Sequence, residues 1–159
     1  MIVMGQAGRV VRSHFNLDTP FDSTLFNLMG VAIIVNIVTA AIFCRWTFRA
    51  APSPYVWGIR MGLVSFVIFA MEGMIMAQRL AHSVGVPDGG PGLPVVNWST
   101  TGGDLRIAHF LGMHALQLLP LVGFFGRSTA AVALAFSVWV SISVAAIWGA
   151  LAGKTFPTG

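Results

Sequence analysis

Apolar residues run almost unbroken through four stretches, 25–44, 55–78, 107–125 and 129–152, with polar residues gathered between them. Each stretch is long enough to cross about 30 Å of hydrocarbon as a helix of about 20 residues. Each also has a start signal. Thr19-Pro20-Phe21-Asp22 reads as a capping box with proline at the first helical position, and Ser53-Pro54, Asp104 and Ser128 open the other three. The links 45–53 and 126–128 are short, which makes each flanking pair of helices an antiparallel hairpin. The segment 79–103 differs, because Pro87, Pro91, Pro94, Gly89, Gly90, Gly92, Gly102 and Gly103 bar regular structure, and a loop of this length is often functional. The pattern predicts an all-α fold. It is a single transmembrane domain over 1–159, with four spans in an antiparallel up-down bundle and one long Gly/Pro-rich extramembrane loop between the second and third.

Small residues recur at every fourth position on the fourth span, at Ala133, Ser137, Ser141, Ala145 and Gly149, and on the second at Gly58, Gly62 and Ser65. In lipid, helices associate through close backbone approach, so both stripes are expected to be packing faces inside the bundle, with a homodimer contact as the other reading.

Composition agrees with the span count. Hydrophobic residues make up 56% of the 159 positions and charged residues 9%, and mean hydropathy is +0.81. That much apolar surface calls for lipid as its solvent. A net charge of +4 on its own suggests nucleic acid, but the arginines sit singly at span ends, as membrane anchors do, and no basic stripe is there to track phosphates. Nucleic acid is therefore not an expected partner; the bilayer is, with a homo-oligomer or a larger membrane complex in addition. The lone Cys44 can form neither an internal disulfide nor a structural zinc site. The expected location is a multi-pass position in a bacterial inner membrane.

Ionisable groups inside spans are costly and point to function by default. Glu72 lies about 9 Å in from the end of the second span, and His114 at a similar depth on the third. Antiparallel packing would set them level as a coupled pair. Arg106, His109, Met113, His114, Gln117 and Pro120 share one arc of the third span, expected to face the bundle, with Leu111, Ala115, Leu118 and Val122 opposite. Asn27, Gln78 and His82 belong to the same side of the membrane, so polar groups collect beneath the loop.

Three chemistries could use this set. Haem or a transition metal could be held by Glu72, His82, His109 and His114, with Asn27, Gln78, Arg106 and Gln117 in support, although His109 and His114 lie about 140° apart around the helix. A proton or ion path could run through Glu72, His114 and Gln117. The same groups could also hydrogen-bond one another as structural glue in a non-catalytic membrane subunit. Among specific functions a membrane redox or metal-binding role ranks first and a proton-coupled carrier or channel second; no reaction is assigned.

The segments Ser13-His14-Phe15-Asn16, Arg79-Leu80-Ala81-His82, Val86-Pro87-Asp88-Gly89-Gly90-Pro91-Gly92, Asn97-Trp98-Ser99-Thr100, Gly103-Asp104-Leu105-Arg106 and His109-Phe110-Leu111-Gly112-Met113-His114-Ala115-Leu116-Gln117 resemble those of a family of bacterial multispanning membrane proteins without an assigned activity. The resemblance implies longer relatives with further spans before the segment 1–11, and hence a short form or fragment here. It carries no site residues.

Overall fold

The computed structural model describes residues 2–12 and 14–156; Ser13, part of the first resemblance segment, lies outside them. Seven elements follow in order: α1 (Ile2–Gly8), α2 (Pro20–Thr47), α3 (Pro54–Arg79), β1 (Ser83–Val84), β2 (Gly103–Asp104), α4 (Leu105–Gly126) and α5 (Thr129–Leu151). Helices α2 to α5 are the four long and apolar enough to cross a membrane, with windows of mean hydropathy between 1.5 and 2.2. The predicted starts hold. Thr19 Oγ1 accepts the Asp22 N–H and donates to the Asp22 carboxylate, while Ser53, Asp104 and Ser128 cap α3, α4 and α5.

The chain divides into two compact units, Met1–Thr39 and Ala40–Gly159. In the first, a short helix that the hydropathy pattern did not announce, α1, is tied to the start of α2. The buried Asp22 accepts hydrogen bonds from Gln6 Nε2 at 3.0 Å and Arg9 Nη1 at 2.7 Å.

The second unit is built on α4. Its Gly112, Ala115, Leu119 and Gly123 are buried, and α3 lies along them. Gly58 and Gly62 of α3 bring its backbone so close to Leu119 and Leu116 that an added Cβ would collide. Ser65 Oγ donates to the Gly112 carbonyl at 2.8 Å, and the ring of Phe69 fills the space that Gly112 leaves. Helix α5 covers another side of α4, with Trp139 Nε1 donating to the Leu111 carbonyl at 2.6 Å and Val132, Ser143, Ala146 and Ala150 buried. The centre is Phe69, Ile107, Ala108 and Ala146, flanked by Trp98 from the loop.

Two expected faces are overturned. On α4 the buried side holds Ala115 with Ala108, Gly112 and Leu119, whereas His114 and Gln117 are exposed. On α5 Ser137, Ser141 and Ala145 are exposed, and nothing lies within 4 Å of a Cβ added to Gly149. In lipid, where polar and apolar sides do not sort against water, the smallest residues win the contact, and α3 supplies glycines that fit α4 along its length. The loop is also less irregular than its composition implies. β1 and β2 pair antiparallel, Ser83 opposite Asp104, and Gly92 bridges to Ser99.

Candidate functional site

Two polar groupings lie at the loop end of the second unit. The first is centred on Asp104, whose side chain is wholly buried. Its Oδ1 accepts the Arg106 backbone N–H and Nε–H, both at 3.0 Å. Its Oδ2 accepts Arg106 Nη2 at 2.6 Å and the Ser99 N–H at 2.9 Å. His82 Nδ1 stands 3.6 Å from Asp104 Oδ1, 3.4 Å from Asp88 Oδ1 and 3.2 Å from Ser83 Oγ. Asp88 in turn accepts the Ser83 and His82 N–H groups, and the Leu105 N–H donates to the His82 carbonyl.

Burial pushes the Asp104 carboxyl up, but hydrogen bonds from His82, Arg106 and the Ser99 N–H, with the Arg106 charge, outweigh it and hold the group well below the ordinary carboxylate range. Burial likewise opposes ionisation of Asp88, and is overcome by hydrogen bonds from the Ser83 side chain and N–H and from the His82 N–H, with the His82 charge. The crevice beside these groups measures about 10 Å³, which holds at most one water. With its polar atoms spent on one another and no room for a substrate, the cluster closes the loop onto α4.

The second grouping is inside the spans. Glu72 of α3 is buried, 5% exposed, and neither carboxylate oxygen has a hydrogen-bond partner among the described residues. His109 of α4 reaches the same level of α3. Its Nδ1 lies 2.7 Å from the Phe69 carbonyl, and its ring packs where a Cβ on Gly73 would sit, 3.2 Å away at Cε1.

Of the remaining predicted site residues, those of the second unit do not join them. His114 Nδ1 is bonded to the Phe110 carbonyl of its own helix at 2.7 Å, with the imidazole stacked on the Phe110 ring at 3.9 Å. It makes no hydrogen bond or ion pair with Glu72, so the expected pair does not form. Asn27, Gln78 and Gln117 are exposed, and Arg106 serves Asp104. No three His, Cys, Asp or Glu side chains converge as a metal would require, among the described residues.

Sequence reasoning missed Asp88, Ser99 and the weight on Asp104. The cap at Asp104 was legible, as was Arg106 two residues on, but which loop groups meet them depends on the pairing of β1 with β2. Arg60 was expected, with the other arginines at span ends, to anchor its helix at the membrane surface; its side chain is buried there, donating to the Thr47 and Ala50 carbonyls at 2.8 and 3.0 Å and lying over the Phe48 and Trp57 rings.

Fold and site define the class of protein: a helical protein with four candidate membrane spans, a loop locked by a buried carboxylate and a second carboxyl left unpaired in a span. No protein family, curated protein or solved structure matches the chain.

Proposed function

We propose that this multi-pass membrane protein is a proton-coupled carrier or channel-like protein in which Glu72 binds and releases the proton. The observation that carries this reading is the Glu72 carboxyl, buried in a span with both oxygens unpartnered. A carboxyl used only to glue helices would be expected to hold a donor, since leaving it unsatisfied costs about 1–3 kcal/mol. One that must take up and lose a proton keeps its oxygens uncommitted. His109, which reaches the Phe69 carbonyl and Gly73 on the same stretch of α3, is the candidate to pass the proton on.

The haem or metal reading has no comparable support, because His82, His109 and His114 stand in three separate settings. The structural reading accounts for the Asp104 cluster and leaves Glu72 unexplained. The compartment we propose is a bacterial inner membrane, on the resemblance of the loop and third-span segments.

The test is decay of an imposed pH gradient in liposomes holding the full chain. Flux above protein-free vesicles that falls at least about tenfold in Glu72→Gln and persists in His114→Gln is expected, in line with loss of a positioned proton-transfer group. Equal flux in parent and Glu72→Gln would overturn the reading. A hydrophobic carbodiimide, which reacts with protonated carboxyls in apolar surroundings, should modify Glu72 and block the flux.

A further inference from the structure

At the end of the second unit opposite the loop, Gly123 of α4 meets the Pro54 carbonyl of α3 so closely that a Cβ could not be added. The helix ends approach there through backbone, so their side chains splay outward. Between them opens a groove of about 640 Å³, floored by Gly123, walled by Tyr55, Phe124 and Phe125 and rimmed by Ser53 and Arg127. Tyr55 and Phe124 meet edge to face, with centroids 6.2 Å apart, and Phe124 and Phe125 do so at 5.1 Å. These walls are uncovered: Phe124 is 61% and Phe125 75% exposed.

The charge at this end is of one sign. Arg127 has no hydrogen-bond or ion-pair partner for its guanidinium among the described residues, and Arg45 and Arg49 stand on the same end of the unit. The acids of the unit, Glu72, Asp88 and Asp104, belong to the other end or the loop. The groove also sits where α3 begins, α4 stops and α5 begins, which is the depth of lipid headgroups.

We propose that this groove binds an anionic phospholipid, with the phosphate on Arg127 and the glycerol and first acyl carbons against Tyr55, Phe124 and Phe125. Charge complementarity selects the headgroup, since an uncompensated guanidinium forms paired hydrogen bonds to phosphate. The exposed aromatic walls select a ligand with a chain attached. Inorganic phosphate would use only the first of these contacts, and a zwitterionic lipid would bring a cation toward an all-basic end.

The experiment is thermal unfolding of the full chain in a neutral detergent, titrated with phosphatidylglycerol, phosphatidylcholine or inorganic phosphate. Saturable stabilisation by phosphatidylglycerol is expected, with neither of the others matching it. Arg127→Gln should weaken the apparent affinity about fivefold, the effect of one basic side chain at an anionic surface. Arg127→Lys should retain part of it, and Arg49→Gln, which removes a charge outside the groove, should leave it unchanged. Phe125→Ala should also weaken binding, which keeps the test open if Arg127→Gln folds poorly. Equal stabilisation by phosphatidylcholine, equal loss in Arg49→Gln, or unchanged binding in both Arg127→Gln and Phe125→Ala would overturn the proposal.

Discussion

Asp104 and Glu72 are both buried carboxyls, and their surroundings are opposite, the first fully partnered and the second without a hydrogen-bond partner among the described residues. Asp104 has a donor for each lone pair it can use, two of them from a guanidinium, and it caps α4 as well. Asp104→Ala should therefore cost about 2–4 kcal/mol in denaturant unfolding, the sum of a lost cap and lost charge-assisted hydrogen bonds. The pH dependence has a definite sign. A carboxyl whose folded pKa is depressed contributes stability that is complete above its unfolded value, about 4, and is lost as pH falls through the folded value. Asp88 is shifted in the same direction. The parent should lose stability between about pH 4 and pH 2, and Asp104→Asn, weaker at neutral pH, should show a flatter acid limb over that range.

Glu72 lacks such donors, and replacing it should help folding while harming function. Glu72→Met should raise stability by about 1–3 kcal/mol, because a long apolar side chain removes an unsatisfied buried group without leaving a cavity. Loss of stability instead would mean that the carboxyl has a partner in the membrane. His114 gives an independent check: bonded to Phe110 and exposed, it should not couple to Glu72. Glu72→Gln and His114→Gln should be additive within about 0.5 kcal/mol in a double-mutant cycle.

At the scale of elements, span positions and caps were legible because they depend on hydropathy runs and on local hydrogen bonds within four residues. Rotation of each helix was not. Sorting side chains by polarity put His114 and Gln117 inward on α4, whereas the contact is made by Gly112, Ala115 and Gly123. The glycine stripe of α3 was correctly read as a packing face because its partner is backbone, and backbone is present all along a helix. The equally regular stripe of α5 found no such partner among the described residues. Gly112→Ala should thus destabilise strongly, by about 1–3 kcal/mol of overpacking against the Phe69 ring, which has nowhere to move in the centre of the unit. Ser141→Leu should unfold like the parent in detergent, since Ser141 is exposed. If Ser141→Leu is silent for the monomer but shifts the protein's size in a sedimentation measurement, the α5 stripe is the contact between copies that its spacing allows.

At the scale of the whole molecule, the second unit has two chemically different ends, and this difference orients it. One end carries the loop, where Asp88 and Asp104 draw in His82 and Arg106. The other carries the links 48–53 and 127–128, with Arg45, Arg49 and Arg127 and no acid. The cytoplasmic leaflet holds the anionic lipids, and an exposed basic side chain gains about 1 kcal/mol beside it. The rule that short cytoplasmic loops are enriched in arginine points the same way. The link end should therefore face the cytoplasm and the loop the opposite side. In a Cys44→Ser background, Gly90→Cys in the loop and Ala51→Cys in the link are both at exposed positions. A membrane-impermeant maleimide added to intact cells should label the first, and the second only after lysis. The reverse pattern would invert the topology and move the proposed lipid groove to the outer leaflet, where fewer anionic headgroups are available to it. Labelling of both from the same side would mean that the link and the loop do not lie across a membrane from one another, and that α3 is not a span.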